Sequence, residues 1–165
     1  MINLRQINHL IMNRAKTITI KRTDSYDLDF PQLVTLLNRE LRERYSGLES
    51  IYDSYDQISN LDTVVIGCSN DLPVGCGCFK EYDNTTVEIK RMYVKPDERR
   101  QGIGSGILSE LEIWAKEKGF LYAVLETANK QNESIALYKK AGFTIIPNYG
   151  QYIGKEISVC MKKKL

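Results

Sequence analysis

The chain has 165 residues, of which 42% are apolar and 27% charged, and its net charge is +2. That length suits one domain with a real core, and the composition is that of an ordinary globular protein. The small net charge speaks against a broad nucleic-acid surface, and no apolar run approaches the length of a membrane span.

Residues 1–16 lack the uninterrupted apolar core of a secretion signal and read as an N-terminal extension, with Met12 as an alternative start. Residues 17–165 read as one domain. Thr17–Arg22 alternates and is rich in β-branched residues, which predicts a first strand. After Asp29, the residues Phe30, Leu33, Leu36, Leu37 and Leu41 recur on one helical face, with Gly47 as the stop. Leu48–Leu61 is ambiguous between a short helix and a loop. Thr63–Ser69, Val74–Tyr82 and Thr85–Val94 follow as strands joined by turns at Asn70–Pro73 and Asp83–Asn84. From Gly104 the period changes. Ile107, Leu108, Leu111 and Ala115 form a helical stripe that Gly119 ends. Phe120–Thr127 is a strand, and Gln131–Ala141 a helix with Asn132 as N-cap and Gly142 as terminator. Phe143–Ile146 and Glu156–Lys162 close the chain as strands. The order β-α-β-β-β-α-β-α-β-β predicts one mixed α/β sheet.

The four cysteines, Cys68, Cys76, Cys78 and Cys160, show no paired zinc-ligand spacing, so no metal is expected. Cys76 and Cys78 fall on one strand face and read as buried thiols. Cytoplasmic residence is the default that follows. The single histidine, His9, precedes the first strand and receives no catalytic role.

The run Val94-Lys95-Pro96-Asp97-Glu98-Arg99-Arg100-Gln101-Gly102-Ile103-Gly104-Ser105-Gly106 lies between a strand and an amphipathic helix. A glycine turn at a helix start aims several N–H groups at one anion, and the helix dipole adds to them. A dinucleotide fingerprint does not fit, since Ile107 stands where the third glycine belongs, and no P-loop triplet is present. A plain turn is the remaining alternative for the glycines alone.

The neighbouring residues resemble a known family. Arg99-x-x-Gly102-x-Gly104 is similar to the Arg/Gln-x-x-Gly-x-Gly/Ala signature of the GCN5-related N-acetyltransferases (GNAT). Glu88–Pro96 resembles that family's fourth strand and the start of its loop. Asn132-Glu133-Ser134-Ile135-Ala136-Leu137-Tyr138, continuing to Gly142-Phe143, resembles its second block. The resemblance covers residues 17–165 and implies a mixed, mostly antiparallel sheet flanked by helices, with strands 4 and 5 splayed. It also implies transfer of an acetyl group from acetyl-CoA to an amine, without a metal. The coenzyme pyrophosphate is then expected on the backbone of Gln101, Gly102, Ile103, Gly104 and Ser105, with Arg99 and Arg100 adding charge. The pantetheine arm is expected along Met92, Tyr93 and Val94, where a bulge would free an N–H for the oxyanion. Asn132 is expected to cap its helix or meet the arm, and Lys139 or Lys140 to approach the ribose phosphate.

Glu88 interrupts a strand-forming run and matches the family's glutamate base; the other reading is a carboxylate on a sheet surface. Tyr138 matches the tyrosine that protonates the leaving thiolate; the other reading is a packing tyrosine. The resemblance places the acceptor beside Arg42, Arg44 and Tyr45 and beside Tyr149, Gln151 and Tyr152, with Lys90 and Arg91 nearby. These groups suit a small amine that also carries a carboxylate. A bacterial sub-group shares Leu125-Glu126-Thr127, Tyr149-Gly150-Gln151-Tyr152 and Ser158-Val159-Cys160, although Glu156 stands where many of them have proline. The expected partners are acetyl-CoA, a small amine and a second copy of the chain, with no nucleic acid or membrane. A lysine- or N-terminus-modifying enzyme and a non-catalytic acetyl-CoA sensor are the alternatives.

Overall fold

The computed structural model describes residues 16–45 and 60–165. All of the expected N-terminal extension but Lys16, with His9, Gly47 and most of Leu48–Leu61, lies outside them. The elements are β1 (Ile18–Thr23), α1 (Asp29–Arg44), β2 (Val64–Ser69), β3 (Leu72–Asp83), β4 (Thr86–Val94), α2 (Ile103–Glu117), β5 (Tyr122–Ala128), α3 (Asn132–Lys140), β6 (Thr144–Ile146) and β7 (Ser158–Lys164). Their order is the one expected from hydrophobic period and turn chemistry. Two short 3-10 turns, Pro96–Glu98 and Gly150–Tyr152, lie in the loops that flank the site. No helix among the described residues is long and apolar enough to cross a membrane.

The strands form one sheet in the order β1-β2-β3-β4-β5-β7-β6. Every neighbouring pair is antiparallel except β4 with β5. α1 covers one face, where Phe30, Leu33, Val34 and Leu37 meet Val64, Ile66, Cys76 and Cys78. α2 covers the other, where Ile103, Ile107, Leu108 and Leu111 meet Val65, Phe79, Ile89 and Leu125. β2 is buried along its whole length because it is sandwiched between the two. Gly77 permits the close approach of α2: a Cβ there would lie 2.9 Å from the Leu111 side chain and 2.5 Å from the Met92 sulfur. All four cysteines are buried and free, and burial pushes the Cys76 thiol up in pKa.

Two helices end in the same way. Gly119 and Gly142 adopt left-handed φ values of 93° and 95°. The following N–H groups turn back, Phe120 to the Ala115 carbonyl (3.1 Å) and Phe143 to the Tyr138 carbonyl (3.0 Å). This is the Schellman arrangement, which satisfies the last helical carbonyls. In α3 it also brings the Phe143 ring to 6.0 Å from the Tyr138 ring, so the Gly142-Phe143 pair fixes the tyrosine in place. The start of α3 differs from expectation. Asn132 is the first helical residue and is exposed, Gln131 is the N-cap, and no side chain caps the turn. Gln131 is held instead by the Thr127 hydroxyl, which donates to its Oε1 at 2.6 Å.

Candidate functional site

The site begins where two strands part. β4 and β5 pair from Thr86↔Tyr122 to Ile89↔Leu125, and the pairing stops there. β5 continues alongside β7 to Ala128, while β4 continues alongside β3 to Val94. The sheet therefore opens into a cleft, and no residue of β4 past Ile89 pairs with β5. The reason is local. Between Lys90↔Cys78 and Tyr93↔Cys76, two residues of β4 oppose one of β3. The extra residue makes a bulge, and Arg91 takes a left-handed φ of 58°. For a residue with a Cβ this costs about 1–2 kcal/mol. The Arg91 guanidinium is tied down by donation to Asn38 Oδ1 on α1 at 2.8 Å.

A pocket fills the opening. Ile89, Lys90, Arg91 and Met92 line it from β4, Glu126 and Thr127 from β5, Ser134 and Tyr138 from α3, Leu37 and Leu41 from α1, and Tyr152 from the loop before β7. Tyr138 is buried, and burial followed by the charge of Glu126 raises its hydroxyl pKa above the ordinary tyrosine value. It is therefore a proton donor at neutral pH. Glu126 accepts from the Ser158 hydroxyl at 2.7 Å.

Glu88 lies behind the pocket wall with 2% exposure. Its Oε1 accepts from Tyr152 (3.0 Å) and Tyr149 (3.1 Å), and its Oε2 lies 3.5 Å from Lys90 Nζ and 3.7 Å from Lys80 Nζ. Tyr82, Tyr149 and Tyr152 stack edge to face, with centroid separations of 5.1 and 5.4 Å. Burial and then the Glu88 charge push the Tyr149 hydroxyl well above its ordinary pKa. Residues more than sixty positions apart thus converge on one carboxylate.

The glycine run follows β4 and leads into α2. Arg99 turns inward: its Nε donates to the Val94 carbonyl (2.8 Å) and its Nη2 to Glu40 (2.5 Å). Arg100 is exposed and has a φ of 62°. Gly102 has a φ of 82° and caps α2, and the first intrahelical bond runs from Gly106 N to Gly102 O (2.9 Å). The N–H groups of Ile103, Gly104 and Ser105 occupy the first turn, where a helix supplies no carbonyl for them. The Ile103 side chain is buried in the core, so only its backbone is available to the loop. A Cβ on Gly104 would meet Val94 and Leu137 at an ordinary 3.6 Å. Internal packing therefore does not require glycine at 104, and the missing Cβ leaves room for an outside group to come close.

The other expected residues are spread more widely. Tyr93 is core on the α1 face, and its backbone pairs with β3. Lys139 and Lys140 are exposed on α3. Arg44 binds Glu133 (2.6 Å) and Glu40 (3.1 Å), tying α1 to α3 and raising its own pKa. Tyr45 is buried, Arg42 is exposed and Gln151 is half-buried. Glu126, Thr127 and Ser134 line the pocket, although the sequence reading gave them no role there. Glu126 carries the signal that picked out Glu88, a carboxylate interrupting a strand-forming run.

Comparison with known proteins agrees with this geometry. Residues 30–143 match the family model of the Acetyltransferase (GNAT) family. The chain is 29% identical to an IAA acetyltransferase of Azospirillum brasilense, over 90% of this chain and 98% of that protein. A Klebsiella pneumoniae structure described as an acyl-CoA N-acyltransferase superposes with a TM-score of 0.73 and 26% identity, covering 90% of this chain and 98% of that one. The fold is also that of the PaiA N-acetyltransferase of Thermoplasma acidophilum, solved with coenzyme A, at a TM-score of 0.64 and 24% identity, covering 90% and 99%.

Proposed function

The chain belongs to the GNAT acetyltransferase family and is an acetyl-CoA-dependent acyltransferase, and from that premise we propose that it acetylates the primary amine of a small molecule by direct attack in a ternary complex. The observation that carries this reading is the parting of β4 from β5 after Ile89↔Leu125, with Tyr138 and Glu126 lining the opening. The bare N–H groups of Ile103–Ser105 suit a pyrophosphate, and the open edge of Lys90–Val94 suits the amides of the pantetheine arm. Gln101 and Gly102 shape the turn. Arg99 supports it from within, through Val94 and Glu40, and Arg100 adds charge outside. Asn132 and Lys140 sit at the two ends of α3, where they border the bound coenzyme.

The acceptor enters as an ammonium and first loses a proton, for which Glu88 is the sink. The freed lone pair forms the N–C bond to the thioester carbonyl, and the C–S bond breaks. The sulfur takes the Tyr138 proton, and the nitrogen's remaining extra proton restores the phenol. Atoms balance as acetylamine, free CoA thiol and one proton on Glu88. Glu126 faces the acceptor as an anion suited to an ammonium, and Lys90 and Arg91 on the opposite wall suit a carboxylate on the same molecule. The Azospirillum relative is named an IAA acetyltransferase, which supports a small acceptor. Four buried free cysteines support residence in the reducing cytoplasm.

The test is thiol release from acetyl-CoA across a panel of amino acids, diamines, polyamines, arylalkylamines and lysine peptides. Glu88→Gln and Tyr138→Phe are each expected to lower kcat by about a hundredfold while coenzyme still binds. Unchanged rates in both variants contradict the proton assignments. Turnover of peptides but not of small amines contradicts the acceptor class.

A further inference from the structure

Glu88 is the proton sink of the proposed reaction, yet it is 2% exposed and is not among the residues that line the pocket. The group between them is Tyr152. It lines the pocket, is only 8% exposed, and donates its hydroxyl to Glu88 Oε1 at 3.0 Å. Lys90 Nζ, also lining the pocket, donates to the same Tyr152 oxygen at 3.1 Å. An ammonium can only donate. The Tyr152 hydrogen is therefore directed away from Lys90 and onto the carboxylate, and the phenolic oxygen presents acceptor character toward the pocket. Tyr149 meets the same Glu88 oxygen at 3.1 Å but is not a lining residue. It stands between the rings of Tyr82 and Tyr152.

We propose that Tyr152 is a proton relay, carrying the acceptor's proton from the pocket to the buried Glu88, and that Lys90 fixes the direction of that relay. The proposal rests on the amine-acetylation reading above. The step is a double transfer. An N–H bond of the acceptor ammonium breaks, its electron pair stays on nitrogen as the attacking lone pair, and the proton forms an O–H bond on Tyr152. The original Tyr152 O–H bond breaks and that proton forms an O–H bond on Glu88 Oε1. The phenol is regenerated and the carboxylate becomes a neutral acid. After the acetylated product leaves, the proton returns by the reverse path to water in the emptied pocket. Tyr149 takes no proton; it is a positioning residue that holds the receiving oxygen.

The experiment compares Tyr152→Phe with Tyr149→Phe in the full chain. Each removes one hydroxyl from the same carboxylate oxygen, so a merely structural role affects both alike. Thiol release is followed with the amine panel from about pH 6 to the ordinary amine range near pH 10. Tyr152→Phe is expected to lower kcat at neutral pH by about thirtyfold or more, with the gap to the native enzyme closing as pH rises. An amine already neutral in bulk water needs no relay. Tyr149→Phe is expected to lower kcat by a factor that stays constant across the pH range, giving a profile parallel to the native one. Lys90→Met, which keeps the stem and removes the orienting donor, is expected to fall between them with the same pH signature. It serves as the second variant if Tyr152→Phe melts abnormally. Parallel profiles for all three variants overturn the relay and leave the function standing. A native enzyme inactive on every amine overturns the function reading and the relay with it.

Discussion

The two sides of the cleft are built by different means. On the proposed coenzyme side, the glycine run places N–H groups in space through one short stretch of backbone, with Gly102 in the left-handed region and α2 starting at the next residue. On the proposed acceptor side, Glu88, Lys90, Glu126, Tyr149 and Tyr152 come from two central strands and a C-terminal loop, and meet only after the sheet has formed. A ligand met by backbone groups can be read from local sequence, because the turn needs particular residues at adjacent positions. A ligand met by side chains from distant strands depends on register, which no local pattern specifies.

The sharpest way to break this contrast is at Gly102. Gly102→Val places a β-branched residue at a φ of 82°. We expect coenzyme affinity to fall by about thirtyfold, or ~2 kcal/mol, as the turn relaxes out of shape; calorimetric titration with CoA measures it. Next is Glu126→Gln, which touches only the acceptor side. It is expected to raise the acceptor KM about tenfold while the acetyl-CoA KM holds. A larger change in the coenzyme KM than in the acceptor KM would erase the division between the two sides. Third is Glu40→Gln, which removes the ion pair with Arg99 at the back of the loop. Melting is expected to drop by a few degrees, or ~1 kcal/mol, with CoA affinity nearly unchanged. A loss of affinity matching that of Gly102→Val would mean that the cradle depends on side chains as well.

The smallest effect is in alkaline stability. The Tyr138 and Tyr149 hydroxyls are both raised above the ordinary tyrosine pKa, chiefly by burial. The unfolded chain then ionises first as pH rises through about 10. The folded state holds more protons in that window, so stability is full below it and falls above it. Urea midpoints measured across that range are expected to decline less steeply in Tyr149→Phe than in the native protein. An identical slope would remove the burial argument for Tyr149.

Much of the fold was legible in the sequence. The strand and helix order followed from period, and Gly119 and Gly142 marked helix ends because only a left-handed residue closes that turn. Asn132 misled because Gln131, gripped by Thr127, makes the turn instead. Arg99 reads as an anion contact in the sequence, but Glu40, fifty-nine positions away, turns its guanidinium inward. The sequence offers Glu88 and Tyr138 as candidates, but not the enclosure of Glu88 by Tyr149 and Tyr152. That enclosure arises from contacts across 61 and 64 residues.

The most direct test of the account is an amide NMR titration of the native protein with acetyl-CoA. Saturable shifts are predicted at Gln101–Ser105, the proposed diphosphate site, and at Lys90–Val94, the proposed site of the arm. Saturable binding that leaves both stretches unmoved, or no binding at all, contradicts it.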